Sequence, residues 1–598
     1  MRRATSHPCS SPRGRVLAGA AWAALGCVAG PATGWAQAGG GTTVPATGLD
    51  TTRVGDLRGT LEAYLPNAPP RTIGPNWQVS PSIGVDIGLT DNAQRVNSPR
   101  RADVFALITP NISITADTAH IRADASYTPS ISVFANNGGQ NRVDQFGQAG
   151  ALVTFVPDTL FLDLRGSISE SSLVGGTGSA DGRGFNNNNQ ATSYALSATP
   201  YVQHRFGGWG TGLASYSVAQ TIQETSNGNG QFVQGFANNG QFVQGIGGNG
   251  TVAGPAFFGS SGNLTTQRER ASFTTGENFG KINNSTVLSA TQYDGAGSYR
   301  GAYRNEVSTA TAYAVTRTIT ALGTIGYQDL HYSGLSPYNI SKPLWSVGGR
   351  YAPNPNLTAT VTYGQRDGLK DFSADASWSP TARTAFFARY STGLTSSAEE
   401  SQNLLSTTNV GAGGLLTDRT TGAPVSGGSG FFGTQNNVFQ LRRASLTGLL
   451  SLNRDSFSAS VSNERRTSVT SAVANTGSTI VPPGTTTTGT FGTLSWGHQL
   501  SDRLTSNATA SYGVNDNGTA LGLGSGTQTS FTGSAGLNYI FSQTLTGRVQ
   551  YVHTNVSGNG VSGLNSNGFN GFNGFNGFGS RSGSYVENVL LAGLRKSF

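Results

Sequence analysis

From about residue 77 onward, apolar and polar residues alternate with a period of two, segment after segment. In one segment Leu357, Ala359, Val361 and Tyr363 share a face, and Thr358, Thr360, Thr362 and Arg366 share the other. Ala508, Ala510, Tyr512 and Val514 oppose Thr505, Asn507, Thr509 and Ser511 in the same way. Leu160, Leu162, Leu164 and Ile168 oppose Asp163, Arg165, Ser167 and Ser169, while Leu545, Val549 and Tyr551 oppose Thr546, Arg548 and Gln550. Successive side chains of a strand point to opposite faces, so each segment is a strand with one apolar and one polar side. The last segment, Ser584 to Phe598, keeps the pattern, with Leu590, Ala592, Leu594 and Phe598 on one parity.

The connections between these strands come in two kinds. Tight turns stand at Pro157-Asp158, Gly207-Gly208, Pro353 to Asn356, Ser379 to Thr381, Asn453 to Asp455, Ser501-Asp502 and Ser542-Gln543. Their Pro, Gly, Asn and Asp supply the dihedral angles that such turns demand. Longer Gly/Asn/Ser stretches, 172–190, 225–262, 398–437, 470–489 and 557–583, alternate with them. Short turns at one end and long loops at the other are the asymmetry of outer-membrane barrels. The pattern therefore predicts an all-β, transmembrane, antiparallel up-and-down β-barrel over residues 77–598, with about 22 strands (range roughly 18 to 24). An even number places both ends of the barrel in the periplasm. Phe155, Phe161, Phe206, Trp209, Trp345, Tyr351, Trp378 and Phe541 lie near strand ends, where interfacial aromatic girdles form. Leu594 and the terminal Phe598 read as the signal for the barrel-assembly machinery.

Composition agrees. Charged residues make up 11% of the 598 and glycine contributes 84 of them, against about 25% charged in soluble domains. Residues 1–38 read as a signal peptide: Arg2, Arg3, Arg13 and Arg15 precede the apolar stretch Val16 to Gly30, and Ala36-Gln37-Ala38 forms an A-x-A cleavage site. Both cysteines, Cys9 and Cys27, fall inside that leader, which leaves no disulfide or cysteine-metal chemistry to the rest. Four of the 38 basic residues and none of the 30 acidic ones precede Gly39, so the net +8 falls to 34 against 30, too little to imply nucleic acid. No stretch approaches the ~20 apolar residues of a membrane-spanning helix.

Residues 39–76 form a short N-terminal periplasmic segment in which Val54, Leu57, Leu61 and Leu65 recur at helical spacing. Two long loops carry repeats: Asn229 to Gly235 recurs as Asn239 to Gly245, and Gly-Phe-Asn units run from Gly568 to Phe578. Loop expansion at low complexity accounts for both.

Nothing in the chain carries an enzyme's signature. The histidines beyond the leader, His120, His204, His331, His498 and His553, show no metal-ligand spacing, and there is no G-x-S-x-G or P-loop. No metal or other cofactor is expected. The candidate chemistry lies instead in charges on the polar parity: Asp86, Arg122, Asp124, Asp163, Arg165, Arg304, Glu306, Arg366, Arg389 and Arg548. An arginine turned to lipid at mid-bilayer costs about 2–4 kcal/mol, so these residues are expected to line the lumen. There they brace the wall or select passing solutes. Asp163 with Arg165, and Arg304 with Glu306, are two apart and can pair along a strand or across to a neighbour.

Several short stretches resemble the β-barrel porin 2 family of bacterial outer-membrane proteins and related barrels of exopolysaccharide and PEP-CTERM gene clusters. They are Pro81 to Val85, Thr90-Asp91-Asn92, Asp103, Ile108 to Ile112, Val153 to Asp163 and the closing Gly593 to Phe598, where Lys596 replaces the family's common aromatic. The resemblance implies a pore in the bacterial outer membrane, in contact with outer-membrane lipid, for passive or gated passage of polar solutes. Two alternatives are a component of exopolysaccharide secretion, docking polysaccharide or periplasmic export partners through residues 39–76, and an adhesin acting through 557–583.

Overall fold

The computed structural model describes residues 71–72, 76–172, 190–225, 263–295, 297–334, 336–410, 416–418, 437–473, 480–481, 483–516, 527–558 and 584–598. The expected signal peptide, the expected periplasmic segment up to residue 70 with its helical spacing, and both loop repeats lie outside the described residues.

The alternating segments form a single antiparallel sheet that closes on itself with 22 barrel strands. They are β1 (Trp77–Thr90), β2 (Asp103–Asp117), β3 (Ile121–Tyr127, continuing as Ser130–Phe134), β4 (Arg142–Asp144, continuing as Gly147–Val156), β5 (Leu160–Ser172), β6 (Gln190–Arg205), β7 (Gly210–Thr225) and β8 (Leu264–Thr275). Next come β9 (Ile282–Gly295), β10 (Tyr303–Ala314), β11 (Ile319–Tyr332), β12 (Tyr338–Asn354), β13 (Leu357–Arg366), β14 (Leu369–Thr381) and β15 (Thr384–Thr395). The set ends with β16 (Phe439–Ser451), β17 (Asp455–Ser468), β18 (Thr486–Gln499), β19 (Leu504–Asp516), β20 (Thr527–Ser542), β21 (Leu545–Gly558) and β22 (Tyr585–Ser597). A two-residue piece, Arg71–Thr72, folds back on β1. The seam runs from Ser82↔Ser597 to Thr90↔Val589 between β1 and β22, and the Phe598 backbone N–H donates to the Pro81 carbonyl at 3.0 Å.

The two parities separate as expected. Ile83, Val85, Ile87 and Leu89 of β1 are exposed on the outside, while Asp86 between them is buried on the inside. Ile325 (65% exposed), Val347, Leu494, Val549 and Leu590 continue the outer band around the wall. A closed sheet wearing such a band pairs its backbone groups between strands and turns hydrocarbon outward; it is a barrel of the bacterial outer membrane. Aromatics flank the band, with Trp209 T-shaped on Phe279 and Tyr539 on Phe541 near the short turns. Phe161 departs from the expected girdle. It turns inward and stacks on Tyr201 at 4.9 Å, because Leu160, Leu162 and Leu164 already hold the outer parity of β5.

Short turns and both barrel ends share one rim, the periplasmic one. At the opposite rim, Asp367-Gly368 joins β13 to β14 with φ of 54° and 73°, the left-handed pair of a two-residue hairpin turn. The stretch 398–437, read from sequence as loop throughout, opens instead with a helix, α1 (Ser397–Thr407). Its sequence explains its start: the Ser396 hydroxyl accepts from the Glu399 N–H at 3.2 Å, and Glu399 and Glu400 sit in the first turn against the positive end of the dipole.

Candidate functional site

The inner wall changes character along the barrel axis. In its periplasmic half it is polar and wet. Arg389 pairs with Asp375 at 2.9 Å with the two side chains 52% and 47% exposed, and Arg122 meets Asp117 at 3.3 Å, more exposed still. In its outer half the wall is dry. Phe105, Leu107, Phe134, Val552, Val589 and Leu591 form one buried cluster beside the seam. Leu264, Tyr293, Tyr299, Leu330, Tyr332 and Val438 belong to a second. Large apolar side chains on the inner parity of a barrel have no water-filled channel beside them; they pack as a core.

Helix α1 packs on this second cluster through Ala398 and is tethered to two separated stretches of wall. Toward β5–β9, the Arg165 guanidinium of β5 donates to the Leu405 carbonyl at 3.3 Å and the Thr221 hydroxyl of β7 to the Ala398 carbonyl at 3.3 Å. Gln402 donates to the Leu264 carbonyl at 3.2 Å, and the phenols of Tyr293 and Tyr299 donate to Glu399 at 3.1 and 3.4 Å. Toward β16 and β17, Glu400 accepts from Arg443 and faces Arg466 at 3.6 Å. Arg443 and Arg466 also hold Glu464, each at 2.6 Å, and the Arg466 guanidinium lies 4.9 Å over the Phe439 ring. The helix thus bridges the lumen at its outer end, fixed by one carboxylate to each side.

Electrostatics make the fixing firm. Burial alone pushes the Glu400 carboxyl up, but Arg443 and Arg466 outweigh it and hold the carboxyl below its usual 4.5. Burial, and then Glu399, push the Tyr299 phenol well above its usual range, so it remains a donor. Removing one partner of a buried ion pair costs about 3–5 kcal/mol.

All ten charges picked from the sequence sit on the inward parity, but in four different settings. Asp163 and Arg165 pair along their strand, Nε to Oδ1 at 2.7 Å, and Arg165 reaches α1. Arg304 and Glu306 do not pair with each other: Arg304 takes Asp367 at 2.8 Å and Glu306 takes Arg366 at 3.3 Å, stitching β10 to the hairpin of β13 and β14. Asp86 and Arg548 bridge the seam at 2.6 Å. Arg122, Asp124 and Arg389 stand on the wall of β3 and β15, away from α1. The residues that hold the helix, Glu399, Glu400, Arg443, Glu464 and Arg466, escaped the sequence reading. Their signals were present: a serine three residues before Glu399, as in a helix cap, and paired Arg-Arg dipeptides in neighbouring strands. Among the described residues no group of three His, Cys, Asp or Glu side chains is placed to hold a metal ion.

No protein-family model and no curated protein matches the sequence. Among solved structures the chain is similar to the siderophore receptor PirA from Acinetobacter baumannii, at 10% identity and TM-score 0.43 over 88% of this chain and 81% of that one. It is similar to the FrpB iron transporter from Neisseria meningitidis at 10% identity and TM-score 0.44, over 88% and 83%. The ferric-catecholate import receptor Fiu from E. coli K12 matches at 11% identity and TM-score 0.42, over 86% and 81%. Likeness at this level carries nothing about cargo.

Proposed function

We propose that this protein is a gated transport barrel for polar solutes, shut at its outer end by α1. The observation that carries the reading is the suspension of α1 between β5–β9 and β16–β17 by Glu399 and Glu400. The wet inner face in the periplasmic half supplies a path for solutes, and the dry outer half supplies the barrier. Passage requires Glu400 to leave Arg443 and the helix to swing away from the tyrosine cluster. The stretches resembling the porin 2 family, in β1 to β5 and β22, agree with this reading. The secretion and adhesin alternatives rest on 39–76 and 557–583, both mostly outside the described residues, and gain no support from the site.

Single-channel recording of the purified protein in a planar bilayer tests it. Expected are rare, small openings for the native protein and a stable, several-fold larger conductance for Glu400→Gln. Folded, inserted protein that conducts in neither form would overturn the transport reading. Equal conductance in both would remove α1 as its gate.

A further inference from the structure

Strands β16 and β17 each carry an Arg-Arg dipeptide, Arg442-Arg443 and Arg465-Arg466, and the antiparallel register sets them side by side. Alternation sends one arginine of each dipeptide inward and the other outward. The two settings differ sharply in charge. Inside, Arg443 and Arg466 share the carboxylates of Glu400 and Glu464. Outside, Arg442 stands directly opposite Arg465, both are exposed, and neither forms an ion pair among the described residues. The Arg442 guanidinium donates to the neutral Gln440 Oε1 at 3.3 Å.

Like charges directly opposite on one sheet face destabilise the pairing unless an anion sits between them. The level of this pair identifies the anion. Below it on the same face come Ala444 and Asn463, and then the apolar Leu446 and Val461. At ~3.4 Å of rise per residue, the arginines stand ~13 Å along the strand beyond Leu446, toward the rim of long loops. That is the headgroup level of the outer leaflet. In the same register row, Thr392 flanks Arg442 and Thr488 flanks Arg465. The next member, Asp516 of β19, stands opposite Thr488, two strands away from Arg465. Two guanidinium forks beside hydroxyls match the oxygens of a phosphate monoester, which arginine binds bidentately.

We propose that Arg442 and Arg465 form an outward-facing site for a phosphate group of the phosphorylated glycolipid (lipid A) of the outer leaflet. The bound phosphate neutralises the opposed arginines and pins β16 and β17 to the membrane on the side opposite the Glu400 tether. The carboxylates inside and the lipid phosphate outside thus neutralise the two dipeptides from both faces of one wall.

The test is titration of the full protein in detergent micelles with three lipids, read by native mass spectrometry: bisphosphorylated lipid A, its dephosphorylated form, and phosphatidylglycerol. The variants are Arg442→Gln with Arg465→Gln, Arg465→Gln alone, and Lys596→Gln as an exposed cation at the opposite rim. Heat-modifiable migration on gels certifies that each is folded. Expected is at least tenfold tighter binding of bisphosphorylated lipid A than of the dephosphorylated form. That preference should disappear in the double variant, weaken in the single one and persist in Lys596→Gln. Unchanged preference in the double variant, or no preference in the native protein, overturns the site. Phosphatidylglycerol binding as tightly as lipid A overturns the assignment to the glycolipid.

Discussion

Arg548 of β21 gives Asp86 of β1 two hydrogen bonds, of 2.6 and 2.7 Å, by reaching across the closing strand β22. The register places Gly593 directly between them, opposite Asp86 on one side and Arg548 on the other. A Cβ at that position would fall 2.1 Å from the Asp86 Oδ1 and 2.5 Å from the Val85 carbonyl oxygen. The glycine is the gap through which the ion pair clamps three strands at once.

Gly593→Ala should therefore loosen the seam by about 1–3 kcal/mol, the usual cost of overpacking. Arg548→Met should cost more, about 3 kcal/mol, because it strands a buried carboxylate. The temperature at which the barrel loses its compact migration on gels measures both, and an unchanged temperature for both variants would refute the clamp.

Acid should release the helix. The Glu400 carboxyl is held below its usual 4.5 in the folded protein. Its contribution to closure is thus complete above about pH 4.5 and is lost only as pH falls through the lowered folded value. Conductance should stay flat from neutral pH down to that point and rise below it, while Glu400→Gln should be open throughout. A rise centred near neutral pH would assign the gate to another group.

The tyrosine side of the tether can be read by labelling. The described residues contain no cysteine, so Ser445→Cys, on the inner face beside Arg389, introduces a single reporter there. In intact cells a membrane-impermeant thiol reagent should reach it slowly in the otherwise native protein. With Tyr293→Phe and Tyr299→Phe added, Glu399 loses both donors and labelling should quicken several-fold. Equal rates would mean that the phenols do not hold the closed state.

The two faces of the wall should respond oppositely to charge. Ile325→Lys, at a strongly exposed outer position of β11, should lower the stability of the inserted barrel by about 2–4 kcal/mol, whereas Thr324→Lys, facing the lumen, should cost well under half of that. Urea-driven unfolding from vesicles gives both numbers.

The barrel was legible in the sequence because a wall between water and hydrocarbon imposes one rule on every strand. Leu357–Arg366 is a strand with the very bounds its alternation gives, and the strand count follows from turns that Pro, Gly, Asn and Asp announce. The inward placement of the ten charges came from the same rule. Their partners did not. Which strand faces which across the lumen is not encoded in local pattern, so Arg304 could be oriented but not matched to Asp367, 63 residues on. Helix α1 was missed because the low polarity contrast of Ser397–Thr407 gives no clear apolar stripe, and its stability comes from wall residues distant in sequence.

The hydrogen bond from Phe598 to Pro81 carries a consequence for biogenesis. One edge of β1 has no partner until β22 arrives. The other barrel strands must therefore wait as an open sheet with two unsatisfied edges, each able to recruit another copy. Loss of β22 would leave that interval without an end.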